Sequence, residues 1–492
     1  MVLVIFAPEI FISLSFLFIL VVGVLFSRLN KNQYSLNPSS IVGGLSIIIL
    51  VFAIFLASNA DLPEDTIYIF DQGLIFDNLS YYMRIFIFLL AIPIFYFLMI
   101  YYSQTRSGEF EIFIIMGYSL VAMSTLLCSL DFITFYLALE LQSLAFYILA
   151  GSKKTSTLST EAGLKYFILG GFSSAILLFG ISLIYGLTGS IELSSLSLLL
   201  SENDGLLNKA SVFLALTFIT SAILFKISAF PFHSWTPDVY SGAPLPITAF
   251  FSILPKIPLM VFFFRFYSAV FYNYPQEWTY LISIIGVATL LIGTFGAIYQ
   301  TNLKRLLAYS TISHVGFVLI GFSTGSPSGL NSVFLYLIIY VLVSLGIFSI
   351  LISNPYFKNR KNEDVNFINN IEELRSLFFS NPTAAVFLAL FFLSLAGVPP
   401  LAGFFGKYSI LLALIESKMY LVAIVCVVTS VVSAFYYLRI IKYLFFYKPD
   451  VWDFKTNVGS PLAYLIAALT FFNIFFMLFF DFILDLVLLM IS

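Results

Sequence analysis

The chain is built almost entirely from apolar stretches of membrane-crossing length, and no other feature narrows its folding so far. Fourteen can be marked: residues 2–27, 41–58, 80–102, 111–130, 132–150, 162–188, 209–231, 246–271, 278–298, 305–324, 331–353, 382–405, 415–445 and 462–488. A helix crossing the hydrocarbon layer needs about 20 mostly apolar residues. The sequence therefore predicts an all-α polytopic membrane protein with about fourteen transmembrane helices. Composition agrees: 61% of the residues are hydrophobic and only 10% charged, where soluble domains carry about 25% charge. A net charge of −2 without a basic run gives no case for nucleic-acid binding. Cys128 and Cys426 lie in separate apolar runs and read as buried thiols. The first stretch has no basic leader and is too long for a signal peptide, so it reads as a retained helix. The 58 phenylalanines are consistent with an AT-rich, organellar genome.

Charge in the loops tests the count. With the N-terminus outside, the inside loops hold fourteen lysines and arginines, among them Lys153, Lys154, Lys304, Arg305, Arg375 and Lys442. Only Lys209 and Lys418 fall outside, beside acidic Asp71, Asp77 and Glu277. A bias of this size follows the positive-inside rule, so both termini are expected outside. The loops hold no soluble domain. Residues 59–79 read as a β-hairpin-like external cap, and residues 354–381 as a loop with an amphipathic surface helix. No nucleotide fingerprint, P-loop or metal-ligand spacing is visible, so redox chemistry is assigned to partner chains.

Four charges are embedded in apolar sequence: Glu140, Lys226 and Lys256 inside marked stretches, and Lys407 in PLAGFFGKYSILLALI between two of them. Each costs at least ~2.5–3.5 kcal/mol near the bilayer centre. Two lie beside helix breakers. Pro231 follows Lys226, and Pro399, Pro400, Gly403 and Gly406 precede Lys407. Proline opens the helical ladder, and irregular backbone survives in a membrane only where protein or water satisfies it. Broken helices at matching places in two halves are the signature of a transporter built from repeats. The expected organisation is three N-terminal helices (1–106), a five-helix repeat (107–272), a second, inverted five-helix repeat (273–447) and a C-terminal helix (448–492), with a broken helix in each repeat.

Each charge has a plainer reading too. Glu140 could be a structural acid bonded to a neighbouring helix, and the lysines could snorkel to headgroups. Burial disfavours the charged form of either group, which suits a proton relay and forces neighbouring pairs to titrate together. Glu161 and Lys165, four residues apart, can pair on one helix face; structure and relay are both open for them. His233 could bridge solvent to Lys226 or cap the break. His314 lies within the tenth stretch as a relay candidate or a core histidine. Arg84 and Arg265 read as interfacial, and Glu9 as a packing or partner contact.

These residues carry a resemblance. The blocks ELQSLAFYILAGSKKTSTLSTEAGLKYFILGGFSSAILLFG (140–180), FKISAFPFHSWTPDVYSGAPLPITAFFSILPK (225–256) and QTNLKRLLAYSTISHVGFVLIGF (300–322), supported by PPLAGFFGK (399–407), resemble the antiporter-like membrane subunits of respiratory NADH:quinone oxidoreductase (complex I). The TEAGLKYFILG block favours the subunit 2 branch over its siblings. The resemblance implies fourteen helices with two inverted repeats. It also implies proton translocation through Glu140 paired with Lys226, central Lys256 and exit-side Lys407, with Glu161 and Lys165 as the acid and lysine of the sixth helix. NADH, FMN, iron–sulfur clusters and quinone would be bound by other subunits, with no cofactor in this chain. The implied partners are sibling antiporter-like and small membrane subunits and the bilayer, with cardiolipin plausible at the inside basic loops. The implied location is the mitochondrial inner membrane, both termini in the intermembrane space; a bacterial plasma membrane is the alternative. A subunit of a multi-subunit cation/proton antiporter or of a hydrogenase-linked pump is the competing function.

Overall fold

A computed structural model describes residues 2–30, 38–60, 66–105, 109–201, 209–270, 275–357, 365–447 and 459–491. Several loop charges counted above, such as Lys31, Arg106, Lys358 and Lys448, lie outside them. The described chain is almost wholly helical, and each of the fourteen apolar stretches is mostly helical. It divides into two units, residues 1–227 with 242–275, and residues 228–241 with 276–491.

The first unit begins with α1 (Val2–Ile5), α2 (Ala7–Asn30) and α3 (Pro38–Ser58). A hairpin of β1 (Ile67–Ile69) and β2 (Leu74–Phe76) leads into α4 (Asn78–Thr105), with Ile67 paired to Phe76. The expected β-cap is thus present over its described residues. Next come α5 (Glu111–Cys128), α6 (Phe132–Ala150), α7 (Thr157–Thr188), the short α8 (Leu193–Ser201) and α9 (Lys209–Ile227). The unit closes with α11 (Leu245–Ile253) and α12 (Lys256–Val270), which follow α10 (Trp235–Gly242). The turn between α5 and α6 is as tight as the sequence predicts. Asp131 caps α6 by accepting from the Thr134 amide at 2.6 Å, an arrangement worth about 1 kcal/mol. Within this unit α11 and α12 are buried along nearly their whole length, and Phe135 of α6 stacks on Phe262 at 3.5 Å.

The second unit holds α13 (Pro275–Ile298), α14 (Leu303–Ser323) and α15 (Pro327–Ser353). After the paired β3 (Tyr356–Phe357) and β4 (Val365–Asn366) come a 3-10 turn at Ile371–Ser376 and α16 (Leu377–Ser380). The unit ends with α17 (Pro382–Ala396), α18 (Ala402–Glu416), α19 (Tyr420–Phe446), α20 (Ser460–Ile474) and α21 (Phe476–Ile491). Asn302, Ser326 and Asn381 accept backbone N–H groups at the starts of α14, α15 and α17. Prolines follow the last two caps, where the missing amide costs no helical bond.

The structure refines the bounds and breaks of several expected segments. Among the described residues twelve spans are long and apolar enough to cross a membrane, one of them, Leu245–Ser268, across an interruption, and α20 with α21 supplies a thirteenth only across an 87° bend. The break expected before Lys407 divides the stretch marked 382–405 into two helices of 15 residues, the second running on to Glu416, each about 22 Å long at 1.5 Å per residue. Lys407 belongs to the second of them, and the following helix starts at Tyr420 rather than 415. The stretch marked 246–271 is interrupted at Leu254–Pro255, directly before Lys256, because Pro255 has no amide to donate. The expected amphipathic surface helix at 354–381 is, over the described residues, the 3-10 turn and a four-residue helix.

One local pattern occurs once in each unit. In the first, the Phe132 amide donates to Ile191 and the Leu193 amide to Leu130. In the second, the Leu303 amide donates to Asn369 and the Ile371 amide to Thr301. Each ties the start of a long helix, α6 or α14, to the residues that open a short helical segment.

Candidate proton-transfer sites

In the first unit, α6 places Glu140, Ser143 and Tyr147 three and four residues apart, hence on one face. The Ser143 hydroxyl donates to Glu140 Oε2 at 2.8 Å. Lys226, in the last turn of α9, donates to the Tyr147 hydroxyl at 3.4 Å. Glu140 and Lys226 form no direct ion pair among the described residues. Each instead bonds a hydroxyl of α6, Glu140 that of Ser143 and Lys226 that of Tyr147, a spacing that ELQSLAFY displays. Lys256 is buried, at 6% exposure, and begins α12 just past the Pro255 interruption. It does not snorkel.

In the second unit, Lys407 is equally buried. Its ammonium donates to the carbonyls of Leu395 at 2.8 Å and Ala396 at 2.9 Å. These belong to the last residues of α17, where unpaired carbonyls carry the negative end of the helix dipole. Gly397 follows in the left-handed region at φ 90°, which ends α17 and lets the chain turn back. The Gly403 amide donates to Ser394 Oγ at 3.0 Å, drawing α18 against α17. A Cβ at residue 403 would collide with the Ser394 carbonyl. Gly403→Ala is expected to push α18 away at a cost of about 1–3 kcal/mol. It should lower coupled proton pumping in assembled complex, measured as pumping per NADH oxidised; an unchanged ratio would show that the close approach is not needed.

His314 is buried between two tyrosines, with Nδ1 2.5 Å from the Tyr336 hydroxyl and Nε2 3.2 Å from that of Tyr437. A neutral imidazole donates from one nitrogen and accepts at the other, so both hydroxyls can be served at once. A cavity of about 10 Å³ lies among His314, Tyr336, Tyr340, Ser394 and Lys407, near the size that admits one water. Tyr336, Tyr340 and Tyr437 carry no sequence signal beyond their number, since 29 tyrosines are scattered along the chain.

The weaker candidates separate. Glu161 and Lys165 do pair, at 2.7 Å, but their side chains are 57% and 43% exposed. His233 lies in the turn after α9, half-buried, with its Nδ1 unpartnered. Arg84 and Arg265, read as interfacial, are both buried in ion pairs. Arg84 is fully buried against Glu9 at 3.2 Å, and Arg265 meets Asp77 at 2.7 Å with 6% exposure. Arg305, read as a topology anchor, also bonds Asp238 at 2.6 Å. Among the described residues, no group of three or more His, Cys, Asp or Glu could hold a metal ion.

Residues 129–433 match the family described as NADH:quinone oxidoreductase/Mrp antiporter, TM. The chain belongs to this family. Within it, the chain is 38% identical over 474 residues to the NADH-ubiquinone oxidoreductase chain 2 of Marchantia polymorpha, covering 95% of this chain and 94% of that one. It is 37% identical over 439 residues to the NADH-quinone oxidoreductase subunit N of Rhodospirillum rubrum, covering 89% and 87%. A chain of respiratory complex I from Thermus thermophilus, solved with bound aureothin, superposes with a TM-score of 0.79 at 25% identity, covering 97% of this chain and 98% of that one. The family spans redox-linked and antiporter complexes, so membership alone does not separate the competing functions. The full-length relatives favour the redox-linked branch.

Proposed function

We propose that this chain works as the proton-translocating membrane-arm subunit of an NADH:quinone oxidoreductase of the complex I type. It is a non-redox subunit of a translocase: NADH oxidation and quinone reduction occur on partner subunits, which hold the FMN, the iron–sulfur clusters and the quinone. The observation that carries the reading is the set of membrane-embedded ionisable groups held by hydroxyls and helix ends, in a chain whose full-length relatives are named as NADH:quinone oxidoreductase subunits. Glu140, Lys226, Lys256 and Lys407 are the principal proton-transfer groups, with His314 beside Lys407 and with Glu161, Lys165 and His233 in lesser roles. When quinone reduction elsewhere changes the charge at one end of this series, each group's protonation biases the next.

The repeat organisation, 107–272 followed by an inverted 273–447 between N-terminal 1–106 and C-terminal 448–492, belongs to the same proposal. The twice-used backbone pattern before a short helix supports it. So does the spacing of a left-handed residue three positions before a proline at each break, Ser228 to Pro231 and Gly397 to Pro400. Five crossings per repeat is an odd number, so the second enters from the opposite side. Loop charge places both termini outside, which in a mitochondrial inner membrane is the intermembrane space; in a bacterium the membrane is the plasma membrane. Sibling antiporter-like subunits and small membrane subunits are the partners, and cardiolipin is the lipid assigned to the inside basic loops.

Lys226→Ala and Lys256→Ala are expected to lower proton pumping and coupled NADH oxidation while the complex still assembles. Removing a proton-transfer group slows the step it serves on the order of 10²-fold or more. The measurement is pumping into vesicles per NADH oxidised. Normal pumping in both assembled variants would sink the reading. Purifying the native assembly separates the alternatives: flavin and iron–sulfur partners support this function, whereas sodium-dependent transport without redox partners would favour the antiporter.

A further inference from the structure

The link between Glu140 and Lys226 is built from more than the two charged groups. Lys226 Nζ reaches the Tyr147 hydroxyl at 3.4 Å, and Ser143 Oγ reaches Glu140 Oε2 at 2.8 Å. Ser143 and Tyr147 lie four residues apart, one turn along the same face of α6. The Tyr147 ring is held from α7, edge-on to Tyr166 at 5.0 Å and to Phe167 at 5.7 Å. Its hydroxyl end rests over Gly170 of α7, where a Cβ would overlap both the hydroxyl and the ring. A glycine at this helical position costs about 1 kcal/mol relative to alanine. Here it opens the slot the tyrosine fills. A tyrosine serving only as packing would leave its hydroxyl free of such placement, whereas this one stands between an ammonium and a serine already bonded to a carboxylate.

We propose that Glu140 and Lys226 exchange a proton through the hydroxyls of Ser143 and Tyr147, with Gly170 shaping the slot that holds the tyrosine in line. This inference rests on the proposed function and deepens it. The step balances without any other reactant. A proton leaves Lys226 Nζ for the Tyr147 oxygen as Tyr147's own proton moves to Ser143 Oγ, and Ser143's proton moves to the Glu140 carboxylate. The ammonium becomes an amine, the carboxylate a carboxylic acid, and both hydroxyls are restored. The reverse shift returns the pair to its charged state. Either hydroxyl can carry a proton because each is both a donor and an acceptor.

The test uses the whole complex in vesicles, reading proton pumping per NADH oxidised and the amount of assembled complex. Tyr147→Phe keeps the ring and removes the hydroxyl; it should assemble and lose most of its pumping. Ser143→Ala should lose pumping while Ser143→Thr, which restores a hydroxyl at the same place, should retain it. A role in packing alone would not give that order. Gly170→Ala, which leaves every ionisable group intact, should reproduce the loss by displacing Tyr147. If Tyr147→Phe fails to assemble, the Ser143 pair decides. Wild-type pumping in Tyr147→Phe, or in both Ser143 variants, overturns the inference. Where Lys226→Ala is impaired but Tyr147→Phe pumps normally, only this inference fails; where Lys226→Ala also pumps normally, the proposed function fails with it.

Discussion

Arg84→Ala is expected to destabilise the first unit by about 3–5 kcal/mol, the cost of breaking a buried ion pair from one side. Arg84 is 0% exposed, and its Nη1 donates to the Ile5 carbonyl at 2.8 Å as well as to Glu9. Its guanidinium carbon also lies 5.0 Å from the centre of the Phe76 ring. One side chain thus ties α2, the hairpin and α4 together. Alanine would strand the Glu9 carboxylate, 4% exposed, with no cation to meet it. The measurement is the thermal stability and yield of assembled complex. Arg84→Met with Glu9→Leu should recover most of the loss, because replacing both charges by apolar groups removes the stranded carboxylate and the desolvation cost together. A single variant as stable as the parent would show that the pair contributes nothing.

Lipid made most of the fold legible. A solvent without hydrogen-bond partners forces long apolar runs into helices, so the fourteen stretches could be marked from residue type alone. Breaks were legible where proline and glycine cluster, as at Pro399–Gly403, but their extent was not. Lys407 fell in the gap between two marked stretches, although the chain returns to helix at Ala402 and carries that lysine back over the end of α17. The interruption at Pro255 was hidden because a single proline within strong hydropathy reads as a continuous run. The bend between α20 and α21 has neither proline nor glycine at its break. Nearby Asn473 accepts from the Ala402 amide at 3.3 Å and donates to the Leu390 carbonyl at 3.5 Å, tying α20 to the broken helix. Such a tie is tertiary and leaves no periodicity. The same holds for the sites. An embedded charge announces itself by its cost, whereas the hydroxyls and carbonyls that receive it are common residues and plain backbone.

Lys407→Arg is expected to keep the complex assembled and abolish proton transfer at the second break, whereas Lys407→Met should lose both stability and transfer. The separation follows from what the ammonium does. Two carbonyls at the end of α17 depend on it, and leaving such buried acceptors unpaired costs about 1–3 kcal/mol each. A guanidinium can still donate to them and still meets the helix dipole with positive charge. The cavity of about 10 Å³ beside Lys407 gives the larger head some room. Arginine, however, stays protonated in proteins, so it can push on a neighbouring charge but cannot pass a proton on. Lysine does both. If Lys407→Arg pumps at the parental ratio per NADH oxidised, this lysine acts as a fixed charge biasing its neighbours. If pumping is lost with assembly intact, a proton passes through Nζ itself, and the carbonyls of Leu395 and Ala396 are the cradle that holds the lysine in either protonation state.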